Sequence, residues 1–336
     1  MKQDVCVLLV THRQEPFCTD RVAGALLQRG ARVIRLNTDD FPTGLDLRAE
    51  LGNPAGNRLL LNGEELEVDA VWLWRLWPPR LDERLSVQHR EVATRESMTA
   101  LRGLLDLLSG VPWIDPIDVN RCAENKTRQL AIAQSVGLEI PPTLITADPA
   151  AAARFYDEHA GDVVTKLQNS LGYSMKGGGG FPTRRLSRAD LGSLESLRQC
   201  PMMFQRFVPK AKELRIAWVN GMAFVGALAG AACGVDWRYD AKDAPWETLA
   251  LPEHVHTRLS ALMNRLALRQ GAIDLILTPS GDYVFLEVNP HGEWGMLEKD
   301  LGLPIGEAIA EALLRLARQS DSEPAKMMQK DVEGSV

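Results

Sequence analysis

The stretch Gly271-Ala-Ile-Asp-Leu-Ile-Leu-Thr-Pro-Ser-Gly-Asp-Tyr-Val-Phe-Leu-Glu-Val-Asn-Pro290 constrains the fold more than any other part of the chain. Two apolar runs flank the turn signal Pro279-Ser280-Gly281-Asp282, so the segment reads as an antiparallel hairpin. A turn centred between Ser280 and Gly281 pairs Thr278 with Tyr283, and the same register sets Asp274 opposite Glu287. Directly opposed Cβ atoms lie about 4.5–5.5 Å apart. The side-chain period of two then puts Asn289 on the face of Glu287. Two such carboxylates inside apolar strands repel each other and lose hydration. Either the hairpin lies at a sheet edge with its acids in water, or a divalent cation sits between them. An oxygen-only ligand set of this kind suits Mg²⁺ held jointly with nucleotide phosphates.

The rest of the chain reads as an α/β protein. A continuous apolar run at 5–10 suits a strand buried on both faces, a helix with Val22, Leu26 and Leu27 ends at Gly30, and 33–36 is the next strand. Strand patterns at 45–51, 58–61, 70–74 and 111–114 and a long helix over 83–108 complete an N-terminal α/β domain, 1–117. A central lobe, 118–204, holds a helix over 121–136, a strand at 143–145, a helix opened by Asp148-Pro149 and a strand at 162–166. A glycine-rich loop, a short helix over 188–197 and a strand from 202 follow. The C-terminal lobe, 205–318, opens with a hairpin whose turn is Asn220-Gly221, the strongest short hairpin signal. It ends on a helix over 304–316, and the polar residues 319–336 read as a disordered tail.

Around the opposed carboxylates the sequence supplies cations and a flexible loop. Lys176 precedes Gly177-Gly178-Gly179-Gly180, where backbone N–H groups can approach an anion closely, although a plain flexible loop has the same composition. Lys126 starts a helix and Lys166 ends a strand; either alone is an ordinary surface charge. Glu213 and Arg215 share one face of a strand whose other face is Leu214, Ile216 and Trp218. Arg215 can stabilise a transferring phosphoryl group or acyl phosphate. Arg238, in Asp236-Trp237-Arg238, is a second candidate, with a surface loop ion pair as its alternative. Two lysines, a glycine loop and a carboxylate–carboxylate–amide set together describe a nucleoside triphosphate site.

In this order and spacing the residues resemble the ATP-grasp superfamily. The match runs through Asn125-Lys126, Lys166, the glycine loop, Gln205-Arg206-Phe207-Val208, Glu213-Leu214-Arg215, Asp274 and Glu287-Val288-Asn289-Pro290. Within the superfamily the chain is similar to the microviridin-type peptide maturases, or graspetide synthetases. The N-terminal Val-Leu-Leu-Val-Thr-His, the strand from Val71-Trp72 to Arg75 and the segment Asn289-Pro-His-Gly-Glu-Trp294 carry that likeness. It implies an ATP-grasp fold with an N-terminal βαβ pre-ATP-grasp domain and two α+β lobes gripping ATP. Lys126 and Lys166 would contact the phosphates, with Lys166 also near the adenine, and the backbone at Arg206, Phe207 and Val208 would hold the adenine. Lys176, Gly177–Gly179, Gln205 and Glu213 would complete the nucleotide site, and Asp274, Glu287 and Asn289 would bind Mg²⁺, as two ions. The implied activity joins Asp or Glu side chains of a ribosomal precursor peptide, bearing a leader, to Ser/Thr hydroxyls or Lys amines. A glutamate-adding or dipeptide ligase and a non-catalytic ATP-binding module are the alternatives. Trp72-Leu-Trp-Arg-Leu-Trp77 is richer in tryptophan than the group's pattern, and Gly230-Ala-Ala-Cys-Gly234 is less polar. The tryptophans read as domain core or a homodimer interface.

Composition removes other classes. With 38 Lys+Arg against 44 Asp+Glu the formal net charge is −6, which provides no basic face for nucleic acid. No apolar run approaches the roughly 20 residues of a membrane span, and the first residues run straight into a strand pattern without a signal peptide, so a cytoplasmic protein is expected. The five cysteines are scattered and contain no CxxC pair, which argues against a disulfide or metal framework.

Overall fold

The chain is described by a computed structural model covering residues 5–15, 17–53, 56–168, 182–240 and 244–322. These residues form two compact units, one from Met1–Asn120 with Pro304–Val336 and one from Arg121–Leu303. Among the described residues no helix is long and apolar enough to cross a membrane.

The first unit is built on a four-stranded parallel sheet. Its order is Arg32–Asn37, Cys6–Thr11, Ala70–Leu73 and Trp113–Ile114. Parallel strands must be covered on both faces, which is why their sequences are apolar runs and not alternations. On one face Leu8, Val10, Val71 and Leu73 pack with Leu101 and Leu105 of the helix Val87–Asp106 and with Leu47 and Leu59 of a small antiparallel sheet. The helices Phe17–Gln28 and Ile305–Ser322 pack on each other and on the parallel sheet. Trp72 and Trp74 are buried and stacked, with ring centroids 5.3 Å apart, as a core reading requires.

One element lies elsewhere than the sequence pattern suggested. The last helix was expected to close the C-terminal lobe, and it belongs to the first unit instead. Its apolar stripe Ile305, Ile309, Leu313 and Leu316 is buried, and Arg29, in the turn just after the first helix, pairs with Glu307 at 3.3 Å and Glu311 at 3.7 Å. Periodicity identifies a stripe but not the surface that covers it. The helix also runs to Ser322, into the segment expected as tail; 323–336 lie outside the described residues.

The second unit carries two antiparallel sheets. The four-stranded sheet has the order Arg184–Arg185, Val163–Lys166, Met202–Arg206 and Thr143–Thr146. Its Val163 and Phe204 pack with Ala152 of the helix Pro149–Glu158 and with Leu194 and Leu197 of a 3₁₀ segment, Ala189–Gln199. The five-stranded sheet has the order Glu247–Thr248, Met222–Ala229, Lys212–Val219, Gln270–Leu277 and Tyr283–Asn289. Val219 pairs with Met222 across Asn220-Gly221, whose φ values of 46° and 93° explain why Asn-Gly is needed there.

Two local readings need correction. The expected single helix over 121–136 is two, Ile117–Ala123 and Lys126–Ser135, because Asn125 is extended and its side chain caps the second by accepting from the Arg128 N–H. The hairpin turn is one residue longer than the symmetric one expected. Leu277, not Thr278, pairs with Tyr283, and hydrogen bonds among Thr278, Ser280 and Asp282 hold the wider loop. A bulge just before Glu287 then returns the register, so Asp274 still faces Glu287.

Candidate active site

Asp274 and Glu287 are opposed across neighbouring strands, with Asn289 two residues further on and paired to Ala272. Asp274 is buried and the Glu287 side chain is 16% exposed, so neither acid lies in open water at an edge. Cations answer both. Arg215, on the adjoining strand and directly paired to Asp274, places Nη1 2.8 Å from Asp274 Oδ1. Its Nε and Nη2 donate to the Glu293 carbonyl at 3.2 and 2.9 Å. Arg238 Nη2 stands 3.1 Å from Asp274 Oδ2 and 3.6 Å from Glu287 Oε1, bridging the two acids. Lys126 and Lys166 reach Glu287 Oε2 at 2.8 and 3.9 Å.

Burial alone would raise the Glu287 carboxyl, but Lys126, Lys166 and Arg238 outweigh it and hold the group below the usual carboxylate range. For Lys166 the balance reverses. Burial lowers its ammonium below the usual value, Glu287 opposes this, and Lys126 adds to the lowering. Burial also disfavours the charged form of Arg238, yet Asp274, Glu287 and Asp236 more than restore it, so it stays firmly protonated. Four cations converge on two opposed carboxylates, a surplus of positive charge suited to a polyphosphate.

The position of Lys126 has a traceable cause. The Asn125 cap starts the helix at Lys126, and Gln129 follows one turn later on the same side. Gln129 is buried and donates Nε2 to the carbonyls of Ala123 and Val288, while its Oε1 accepts from the Val288 N–H. That clamp fixes the helix against the residue next to Glu287. Gln129 was not among the candidates, although a glutamine beside the apolar Leu130 and Ala133 and three residues after a candidate lysine is a readable signal. Gln129→Leu strips partners from buried backbone groups, and we expect a loss of about 2–4 kcal/mol together with a higher KM for ATP, measured by thermal melts and initial rates.

Other candidates occupy distinct environments. Glu213 is buried against Lys210, Nζ to Oε2 2.6 Å, and burial raises its carboxyl above the usual range although Lys210 opposes it. Lys210 also donates to the Val235 carbonyl. Gln205 is buried and donates to Thr143, so its side chain serves the sheet. The N–H groups of Arg206 and Phe207 donate to the Pro142 and Asp162 carbonyls, and Arg185 lies 3.8 Å over the Phe207 ring. Asp236, not singled out as a candidate, accepts from the Thr183 N–H and from Arg238, and so orients the bridging guanidinium. Gly292 lies where a Cβ would overlap Ala272 and the Arg215 guanidinium, so only glycine fits beside that arginine. Lys176, Gly177, Gly178 and Gly179 lie outside the described residues.

Known proteins bear on this geometry in three ways. Residues 6–121 match the family model described as the MvdD pre-ATP grasp domain. The macrocyclase MdnB from Microcystis aeruginosa MRC is 43% identical, covering 92% of this chain and 99% of its own, with a TM-score of 0.79. This chain belongs to the ATP-grasp macrocyclase family. Macrocyclase MdnC from the same strain, solved with the precursor peptide MdnA, is 34% identical over 93% of this chain and 100% of that one, at a TM-score of 0.83. A Chryseobacterium gregarium RiPP-associated ATP-grasp ligase, solved with ADP and leader and core peptides, is 28% identical, covers 95% and 98%, and also scores 0.83. No curated protein matches the chain. As an ATP-grasp ligase, the enzyme forms ester or amide bonds, and the fold expected from the lysine–carboxylate order is the one observed.

Proposed function

We propose that this ligase macrocyclises a ribosomal precursor peptide, joining Asp or Glu side chains to Ser/Thr hydroxyls or Lys amines with ATP. The observation that carries the reading is the opposed pair Asp274 and Glu287 surrounded by Arg215, Arg238, Lys126 and Lys166. The all-oxygen set fits Mg²⁺ by its donor chemistry, since Asp274 and Glu287 are opposed across neighbouring strands and Asn289 follows Glu287 by two residues. Bound there, as two ions with the nucleotide, Mg²⁺ would screen phosphate charge. The peptide carboxylate attacks the γ-phosphate, ADP leaves, and a hydroxyl or amine of the same peptide displaces phosphate from the acyl phosphate. Lys126 and Lys166 would hold the transferring phosphoryl group, and Arg215 and Arg238 would steady the acyl phosphate. Val208 and the neighbouring backbone would hold the base, and Glu213, with Lys176 and Gly177–Gly179, would complete the nucleotide contacts. Positioning and charge supply the catalysis, so no side-chain nucleophile is required. A homodimer of cytoplasmic subunits completes the reading.

Oxygen-18 in the side-chain carboxylates of the precursor tests this chemistry. One labelled oxygen should appear in the released phosphate per bond formed; unlabelled phosphate would rule out the acyl phosphate. Arg238 supplies a second test. It occupies the space between Asp274 and Glu287, so it competes with metal there. Arg238→Ala should bind Mg²⁺·ADP about tenfold more tightly by calorimetry, one displaced ion pair in a partly exposed setting, while turnover falls.

A further inference from the structure

The parallel sheet of the first unit has a topological switch point. From the central strand Cys6–Thr11 the chain passes to Arg32–Asn37 on one side and then to Ala70–Leu73 on the other. In open parallel sheets ligands bind at the carboxyl ends of the strands flanking such a point. Here those ends are His12, following the central strand, and Trp74 to Trp77, following Ala70–Leu73. The His12 and Trp77 rings are stacked, with centroids 3.6 Å apart and planes 9° from parallel.

His12 is 1% exposed, and its Nδ1 accepts the Gln14 N–H at 3.2 Å. An imidazole that accepts at Nδ1 carries its proton on Nε2. Burial, reinforced by Arg75, lowers the ring to about 4, with Asp39 opposing and Arg35 adding to the lowering, so the neutral donor form holds at neutral pH. Among the described residues that buried Nε2 has no hydrogen-bond partner. The neighbouring acids are engaged elsewhere. Arg13 meets Asp40 at 2.5 Å, Arg80 meets Asp40 at 2.9 Å and Asp39 at 3.4 Å, and Arg75 meets Glu15 at 3.0 Å. A buried donor without an acceptor is costly and rare in native proteins. An acceptor from outside the described residues would satisfy it.

We propose that His12 and Trp77 form a second binding site, at the carboxyl edge of the N-terminal sheet, for an acceptor oxygen of the peptide substrate. The choice of a peptide rests on the function proposed above; the need for an acceptor oxygen does not. The oxygen is a Glu or Asp carboxylate or a peptide carbonyl, and Trp77, half-buried, supplies the flat wall beside it.

The full chain labelled with nitrogen-15 histidine tests this. His12 is assigned among the six histidines by the signal lost in His12→Gln. The probes are N-acetyl-glutamate methylamide and its glutamine counterpart. The His12 Nε2–H signal should move and saturate, and Trp77→Leu should weaken the titration about tenfold, the scale of one good contact. Movement with the glutamate probe alone assigns a carboxylate; equal movement with both assigns a carbonyl. No movement with either overturns the proposal. In turnover, His12→Phe, which keeps a stacked ring, should raise the peptide KM about tenfold and leave the KM for ATP unchanged. His12→Gln, which returns a donor near Nε2, should recover most of that loss. Equal peptide KM values in wild type and His12→Phe contradict the site. Because the titration needs neither ATP nor turnover, its failure is separable from failure of ring formation in the wild-type enzyme.

Discussion

Glu287→Gln should lower the rate of peptide ligation about a thousandfold or more, the scale of removing charge stabilisation around a phosphoryl transfer. Glu287 is the anion to which Lys126, Lys166 and Arg238 all turn. A neutral amide keeps the shape but leaves three cations facing one another. The expected stability loss stays below the roughly 3–5 kcal/mol of a fully buried broken pair, because the Lys126 side chain is 20% exposed and still reaches water. The acid limb of stability should change too. The folded-state carboxyl lies below the usual range, so its contribution is present above about pH 4.3, the ordinary Glu value, and is lost as pH falls below it. Thermal melts from pH 3 to 7, with initial rates at pH 7, read both effects. A variant retaining more than about a tenth of the wild-type rate is incompatible with a role for Glu287 in holding metal.

Arg215→Ala should be the most destabilising single change among the ion pairs of the site. Arg215 and Asp274 are each only 5% exposed at the side chain, and the guanidinium also closes on the Glu293 carbonyl. Removing it leaves the buried Asp274 with Arg238 as the cation still in contact and strips its donors from the Glu293 carbonyl. The expected loss is about 3 kcal/mol, the low end of the range for breaking a buried pair, with no measurable ligation. Arg215→Lys keeps the charge but not the planar fork that spans Asp274 and the carbonyl, so it should recover part of the stability and little of the rate. The double variant Arg215→Met, Asp274→Leu separates stability from chemistry, because replacing both partners by apolar groups is often close to neutral. It should melt near wild type and remain inactive. Denaturant melts and rates on all three variants decide this.

These effects were partly visible in the residues themselves. The Asp274–Glu287 pairing could be counted from the turn, yet it held only because a wider loop and a bulge cancel. Thr278 and Asp282 close that loop through side-chain hydrogen bonds, which alternation of apolar residues does not encode. Arg215 and Lys126 could be named, but not their distances, since strand neighbours and helix docking are long-range facts. Gln129 ties residues 159 positions apart in the chain and has no local pattern beyond its own polarity. The C-terminal helix shows the same limit: its stripe was plain and its partner, Phe17–Gln28, was not. His12 could not be singled out either, because its significance lies in an acceptor that no described residue provides.

The most direct test incubates the purified chain with its precursor peptide, ATP and Mg²⁺, and follows peptide mass and ADP in the same reaction. Macrocyclisation predicts the loss of one water for every ring closed, with one ADP released per ring and neither event when ATP is withheld. ADP release with an unchanged peptide mass, or a gain equal to an added amino acid, would contradict it.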